Sequence, residues 1–163
     1  MNDQSYEQGE VYQLYPIGQV QRTEDGIRLQ IEAPFRPALK QLGHFSHVMV
    51  FWWADQFDSD EGRHMLQVDP PYAPGHLSGV FATRAPFRPN PIAMTTCKLL
   101  GVDEDDGLVE VADIDAFDGS QILDLKAYFP VCDRVKQAHI PEWLADWPEW
   151  MPEAGIGLEE YEK

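Results

Sequence analysis

Phe45-Ser46-His47-Val48-Met49-Val50-Phe51-Trp52-Trp53 is the stretch on which the fold turns. It is almost continuously apolar, and its residues are aromatic or β-branched. Such a run reads as a strand buried on both faces, or as one that closes a barrel. Its apolar core, Val48 to Ala54, spans 7 residues and is the longest apolar run in the chain. That is far short of the roughly 18 residues a membrane helix needs, so no membrane partner is expected.

Shorter strands flank it. Tyr15 to Gln21 reads as a first strand, followed by the turn signal Asp25-Gly26. Ile27, Leu29 and Ile31 alternate with Arg28, Gln30 and Glu32, which is the period of a half-buried strand, so the two segments make a hairpin. Pro34 and Pro37 end it, and Ala38 to Leu42 is expected to form one helical turn. Asp55 to Gly62 is polar and turn-like. Met65 to Val68, Ile92 to Val102, Leu108 to Ala112 and Gln121 to Ala127 are the remaining strand candidates. Pro141 to Trp147 is the best helix, with Pro141 in its first turn and Glu142 near its positive end. Trp143, Trp147 and Trp150 would dock it. Many short strands, frequent Pro and Gly and little helical period predict a mainly β protein. The expected architecture is a closed or nearly closed β-barrel with one or two short helices. No G-x-G-x-x-G occurs, and strands do not alternate with long helices, which argues against a dinucleotide-binding sheet.

Length and composition agree with one domain. The chain has 163 residues, 44% hydrophobic and 12% aromatic, enough for a core without staples. The expected organisation is an acidic flexible N-terminus (1–10), a barrel (11–140), and a C-terminal helix with an acidic tail (141–163). Residues 1–10 are polar and acidic, unlike a secretory leader, so a cytoplasmic location is expected. Cys97 and Cys132 fit no metal or redox spacing and read as buried, reduced thiols. His44, His47, His64 and His76 match no zinc spacing either, so no metal is expected.

The net charge is −16, which excludes non-specific coating of nucleic acid. The charge is uneven, however. Residues 103–118 hold eight acids and no base, whereas residues 84–102 hold Arg84, Arg88 and Lys98 and no acid. Within that cationic segment, Arg84-Ala85-Pro86-Phe87-Arg88-Pro89-Asn90-Pro91-Ile92 places three prolines and two arginines in nine residues. Proline fixes φ and removes donors, so this is a rigid loop. Its arginines suit carboxylate or phosphate, and equally suit internal bracing. A second segment, Asp118-Gly119-Ser120-Gln121, is ordinary turn chemistry by itself. Its Asp118 also has the chemistry to accept bonds from a ribose or an ammonium group.

Together these two segments resemble the TsaA-like (YaeB-like, TrmO-type) family. Gly79 to Ile92 is similar to the signature G-V-F-A-T-R-S-P-x-R-P-N-P-I-G, departing at Ala85 and Phe87. Asp118 to Tyr128 is similar to D-G-T-P-V-x-D-I-K-P-Y. Tyr15 to Val20 resembles the family's opening strand, and Phe45-Ser46-His47-Val48 its F-S-H-L strand. The resemblance runs from about Tyr15 to Asp133. It implies a homodimeric barrel that binds S-adenosylmethionine and methylates N6 of threonylcarbamoyl-adenosine beside the tRNA anticodon. It also implies cofactor contacts at Arg84, Met94, Asp118, Gly119, Ser120 and Gln121, and at Asp55-Gln56 where the family has His-Gln. Arg88, Asn90 and Lys126 are the expected substrate contacts. No catalytic base is indicated, although Asp55 and Asp124 are carboxylates in range of the signatures. Methylation of a small molecule, or cofactor binding without catalysis, are the alternative functions. Here Arg22 to Gly26 turns directly where the family carries a P-R-Q loop, and Ala93, Gln121 and Ala127 replace its Gly, Pro and Pro.

Overall fold

The computed structural model describes residues 10–152. The expected flexible N-terminus falls almost entirely, and the acidic tail largely, outside these residues. Six strands close an antiparallel barrel: β1 (Gly18–Thr23), β2 (Gly26–Ile31), β3 (His47–Trp53), β6 (Ile92–Asp103), β7 (Leu108–Val111) and β8 (Gln121–Ala127). Their order around the wall is β1-β2-β7-β6-β3-β8. A separate two-stranded ribbon, β4 (Gln67–Val68) with β5 (Ser78–Gly79), lies in the excursion between β3 and β6.

The hairpin forms as the sequence predicts. Thr23 pairs with Gly26, and Gly26 takes φ 134°, which a side chain would resist. The first strand begins at Gly18, later than expected, because Pro16 has no N–H to donate to a ladder. The helical turn expected after it is 3-10, in two pieces, Ala33–Leu39 and Leu42–His44.

β3 departs from one of its two expected forms. Its residues alternate half-buried and buried, so Val48, Val50 and Trp52 fill the barrel while His47, Met49, Phe51 and Trp53 lie on the outer wall. It is therefore a barrel strand with one interior face. Two of its outer rings are covered by cations: Lys126 sits 5.6 Å from the Phe51 ring and Arg63 5.7 Å from the Trp53 ring. Burying each inward Val or Leu contributes about 1.5–3 kcal/mol, and Val20, Leu29, Val48, Val50, Val109 and Ile122 are all fully buried.

The barrel seam between β1 and β8 is short, with Gly18 opposite Ile122 and Gln19 opposite Gln121. Gly18 is required there, since a Cβ would stand 2.2 Å from the Gln30 carbonyl oxygen.

In place of the helix expected over Pro141–Trp147, the chain makes a single 3-10 turn, Glu142–Leu144. Pro148 caps the segment's length, and a helix so short has little propagation to offset nucleation. The tryptophans anchor it all the same: Trp143 stacks on His76 and Trp147 tilts against Tyr72. Conversely, the polar run expected as a turn, Asp55 to Gly62, leads into helix α1 (Asp60–His64), started by Ser59, whose side chain accepts from the Gly62 N–H. A second short helix, α2 (Pro130–Asp133), follows β8.

Cys97 is buried as expected, but Cys132, on α2, is exposed. Burial, then the nearby Asp115 and Asp113 carboxylates, push the Cys97 thiol up to about 12. Its stabilising neutral form is thus fully retained below the unfolded value of 9.0 and lost as pH rises toward 12. Iodoacetamide at pH 8 should label one thiol in the native protein, Cys132, and two after denaturation. Rapid native labelling of Cys97 would contradict the packing described.

Candidate functional site

The antiparallel order places three chain segments at one end of the barrel: the exit of β3, the entry to β6 and the entry to β8. Trp52 of β3 pairs with Ala93 of β6 on one side and with Ile122 of β8 on the other. Adjacent strands are about 4.8 Å apart, so the starts of β6 and β8 lie roughly 10 Å from one another. Asp55 and Gln56 follow β3 in a 3-10 turn and are exposed. Met94 lies on β6, and Arg84 donates from Nη1 to the Met94 carbonyl at 2.9 Å. Asp118, Gly119, Ser120 and Gln121 lead into β8. All eight expected cofactor contacts therefore lie at one end of the barrel.

The bend at 118–121 is held from β1. The Arg22 backbone N–H donates to Asp118 Oδ1 at 2.8 Å, and Gly119 N–H donates to the Val20 carbonyl at 2.8 Å. The Arg22 side chain reaches further, from Nε to the Ala116 carbonyl at 2.9 Å and from Nη2 to the Ile114 carbonyl. Nothing in the sequence flagged Arg22, because its partners lie more than 90 positions away. Gly119 takes φ 82° with open space where a Cβ would stand. Ser120 is 2% exposed, and its Oγ has no hydrogen-bond partner. An orphaned buried hydroxyl is costly and is a mark of an incomplete site.

The proline loop is braced from two directions. Arg88 donates from Nε to the Ala85 carbonyl (2.8 Å) and from Nη2 to those of Val80 (3.2 Å) and Thr83 (3.0 Å). Burial, and then the neighbouring Arg84 charge, lower its pKa. Arg88 is thus an internal strut of the loop, with Nε and Nη2 engaged by backbone carbonyls. From outside, Arg63 donates to the Pro89 carbonyl (3.2 Å) and to Asp58 Oδ1 (2.5 Å), while Trp53 Nε1 donates to Asp58 Oδ2 (3.0 Å). Arg63 and Asp58 are a second pair that sequence reading missed.

Of the other expected substrate contacts, Asn90 is exposed at the same rim, with its carbonyl accepting from the Ile92 N–H at 2.7 Å. Lys126 does not join them. It is five residues further along β8, about 17 Å away, and it pairs with Asp124 at 2.5 Å. Two grooves, of about 550 and 410 Å³, open elsewhere, and none of the expected site residues lines either.

The donor set fits S-adenosylmethionine. Arg84 would offer a guanidinium to the amino-acid carboxylate, and Asp118, with Oδ1 engaged by Arg22 N–H, would have Oδ2 for ribose hydroxyls. The Ser120 hydroxyl and the Gln56 and Gln121 amides supply neutral partners, and the space over Gly119 admits a ring close to the backbone.

The Asp58 carboxyl is held below its usual 3.8, chiefly by the Arg63 hydrogen bond. A lowered carboxyl pKa stabilises the folded form above the unfolded value and ceases to do so as pH falls through the folded one. Acidifying below about pH 4 should therefore loosen the 84–92 loop, seen as faster proteolysis there. Asp58→Asn should be loose already at pH 7 and show no further acid step.

Residues 13–134 match the tRNA-methyltransferase O N-terminal domain. A protein of Methanocaldococcus jannaschii named "Probable S-adenosyl-L-methionine-binding protein" is 35% identical over 119 residues, 72% of this chain and 93% of that one. A protein of the same description from Archaeoglobus fulgidus is 34% identical over 118 residues, 72% of this chain and 30% of that one. The crystal structure of TrmO from Pseudomonas aeruginosa superposes with a TM-score of 0.62 at 27% identity, covering 80% of this chain and 61% of that one. The chain thus spans nearly the whole of one relative and less than two-thirds of the longer ones. With the barrel, the two signature segments and three-quarters of the sequence matched, the chain belongs to the tRNA-methyltransferase O family.

Proposed function

We propose that the protein is a cytoplasmic S-adenosylmethionine-dependent methyltransferase whose acceptor is N6 of threonylcarbamoyl-adenosine beside the tRNA anticodon. The observation that carries this reading is the meeting of Arg84, Met94 and the 118–121 bend at one rim, with an unsatisfied buried Ser120 hydroxyl between strands. The cofactor supplies an electrophilic methyl on a sulfonium, so the protein's part is alignment.

In this reading Arg84 and Asp118 hold opposite ends of the cofactor and fix the direction of its sulfur. The bracing by Arg22, Arg88 and Arg63 keeps both anchors from drifting, and alignment losses of this kind are steep. Methyl transfer forms an N–C bond at the acceptor, breaks the S–C bond and releases one proton from nitrogen. Asp55 is the carboxylate at the rim that can take this proton, since Asp124 is engaged by Lys126 on the outer wall. A second copy of the chain would complete so open a rim. The exposed Phe81 (83%) and Ile92 (38%) beside it are apolar surface suited to such a homodimer.

The strongly acidic chain and the tight Glu24-Asp25 turn, standing where the family has its P-R-Q loop, favour a second reading: methylation of a small molecule. Labelled S-adenosylmethionine offered with bulk tRNA and with small-molecule extracts separates the two. Label in tRNA supports the first reading, label in the extract the second. Saturable cofactor binding with no transfer to either would leave a binding module. By calorimetry, Arg84→Ala and Asp118→Ala should each weaken cofactor binding at least about tenfold, near 1.4 kcal/mol. Wild-type affinity in both would remove this rim as the cofactor site.

A further inference from the structure

The larger groove, about 550 Å³, lies at the opposite end of the barrel from the signature rim. His47 opens β3 and Tyr128 follows β8, whereas the rim lies where β3 ends and β8 begins. Ser46, His47, Tyr128, Arg134 and Trp150 line the groove, and no carboxylate among the described residues does. In a chain of net charge −16 that exclusion is itself informative.

Arg134 stacks 5.9 Å from the Trp150 ring. Its guanidinium has no hydrogen-bond or ion-pair partner among the described residues, so its donor edges are free while its face is held. His47 is oriented by Ser46, whose Oγ lies 2.9 Å from its Nδ1, and its ring meets Tyr128 edge-on at 6.1 Å. Lys98 pairs with His47 across the ladder and adds a second exposed cation on the same outer wall. Trp150 is 63% exposed, an aromatic face left open beside the free guanidinium. Aromatic faces next to cationic forks recognise single-stranded RNA, the ring stacking a base and the fork taking its phosphate.

We infer that this groove is a nucleotide subsite for the acceptor RNA strand, with a base on Trp150 and its phosphate on Arg134. This rests on the tRNA reading above and deepens it. The seven residues of β3 separate the groove from the rim by about 20 Å. At about 3.4 Å per stacked nucleotide, that distance corresponds to roughly six stacked nucleotides, and to fewer in an extended strand. The subsite would therefore hold a loop nucleotide a few positions from the methylated base. It would also give a strongly acidic protein a local purchase on an anionic substrate.

The test uses the full chain and a fluorescein-labelled heptanucleotide of adenylates, followed by anisotropy at low salt. Arg134→Ala and Trp150→Leu should each weaken binding about tenfold, with Arg134→Lys recovering part of it. S-adenosylmethionine affinity should be unchanged in all three, which also reports that they fold. In methyl transfer to tRNA, Arg134→Ala should raise KM and leave kcat close to wild type. No binding of the heptanucleotide by wild type, or wild-type affinity in both Arg134→Ala and Trp150→Leu, overturns the subsite. So does methylation of tRNA by Arg134→Ala at unchanged KM, which leaves the tRNA reading intact. If the heptanucleotide binds through Arg134 and Trp150 but tRNA accepts no methyl, the tRNA reading falls and the RNA subsite stands.

Discussion

Everything at the signature rim depends on the register of one strand. β3 is hydrogen-bonded on both sides, with Trp52 facing Ala93 of β6 and Ile122 of β8. Slipping either pairing by one residue would turn the interior side chains outward. It would also carry the proline loop and the 118–121 bend apart along the barrel axis. The register is protected by what points inward: Val48, Val50 and Trp52 pack among Val20, Leu29 and Ile122, and Trp52 Nε1 reaches Thr95 Oγ1 at 3.1 Å. The hydrophobic core and the site geometry therefore share one determinant.

Arginine is put to three different uses in this structure. Arg22, Arg63 and Arg88 spend their donors on backbone carbonyls and one carboxylate, converting irregular loops into fixed supports. Arg84 keeps one contact, to Met94, and remains exposed at the rim. Arg134 makes only a ring contact among the described residues and stays open to an anion. The planar five-donor fork makes the first use possible, since one guanidinium satisfies several carbonyls that no strand or helix covers. The same chemistry explains why a chain with so few cations can brace its loops and still leave Arg84 and Arg134 exposed.

Acidity and anion recognition are reconciled by position. The acids of residues 103–118 cluster at the β6–β7 turn and the approach to β8, where several accept backbone N–H groups, as Asp103 does from Asp105 and Asp106. Charges separated by more than a Debye length, about 8–10 Å, are largely screened. A local groove without carboxylates can consequently attract an anion although the molecule as a whole repels it.

Much of this was legible in the sequence. Period-two alternation marked β2 and β7, Asp25-Gly26 marked the hairpin, and the two signature segments pointed to the rim through their resemblance to a known family. Those signals are local: a residue's neighbours within a few positions decide a strand's faces or a turn's φ. What the sequence could not show were relations across long separations. Arg88 and Arg84 look alike in the same nine residues, yet carbonyls three to eight positions away engage Arg88 while Arg84 stays exposed. Lys126 lies within a signature but is drawn off by Asp124 and Phe51, and Pro141–Trp147 carries helix-start signals on a segment that Pro148 leaves too short to propagate a helix. Periodicity and turn chemistry are properties of the chain alone, so they predicted a β-rich barrel, and the resemblance of two segments to a known family nominated its site. Which donors stay free depends on which distant carbonyls come within reach, and only the closed barrel decided that.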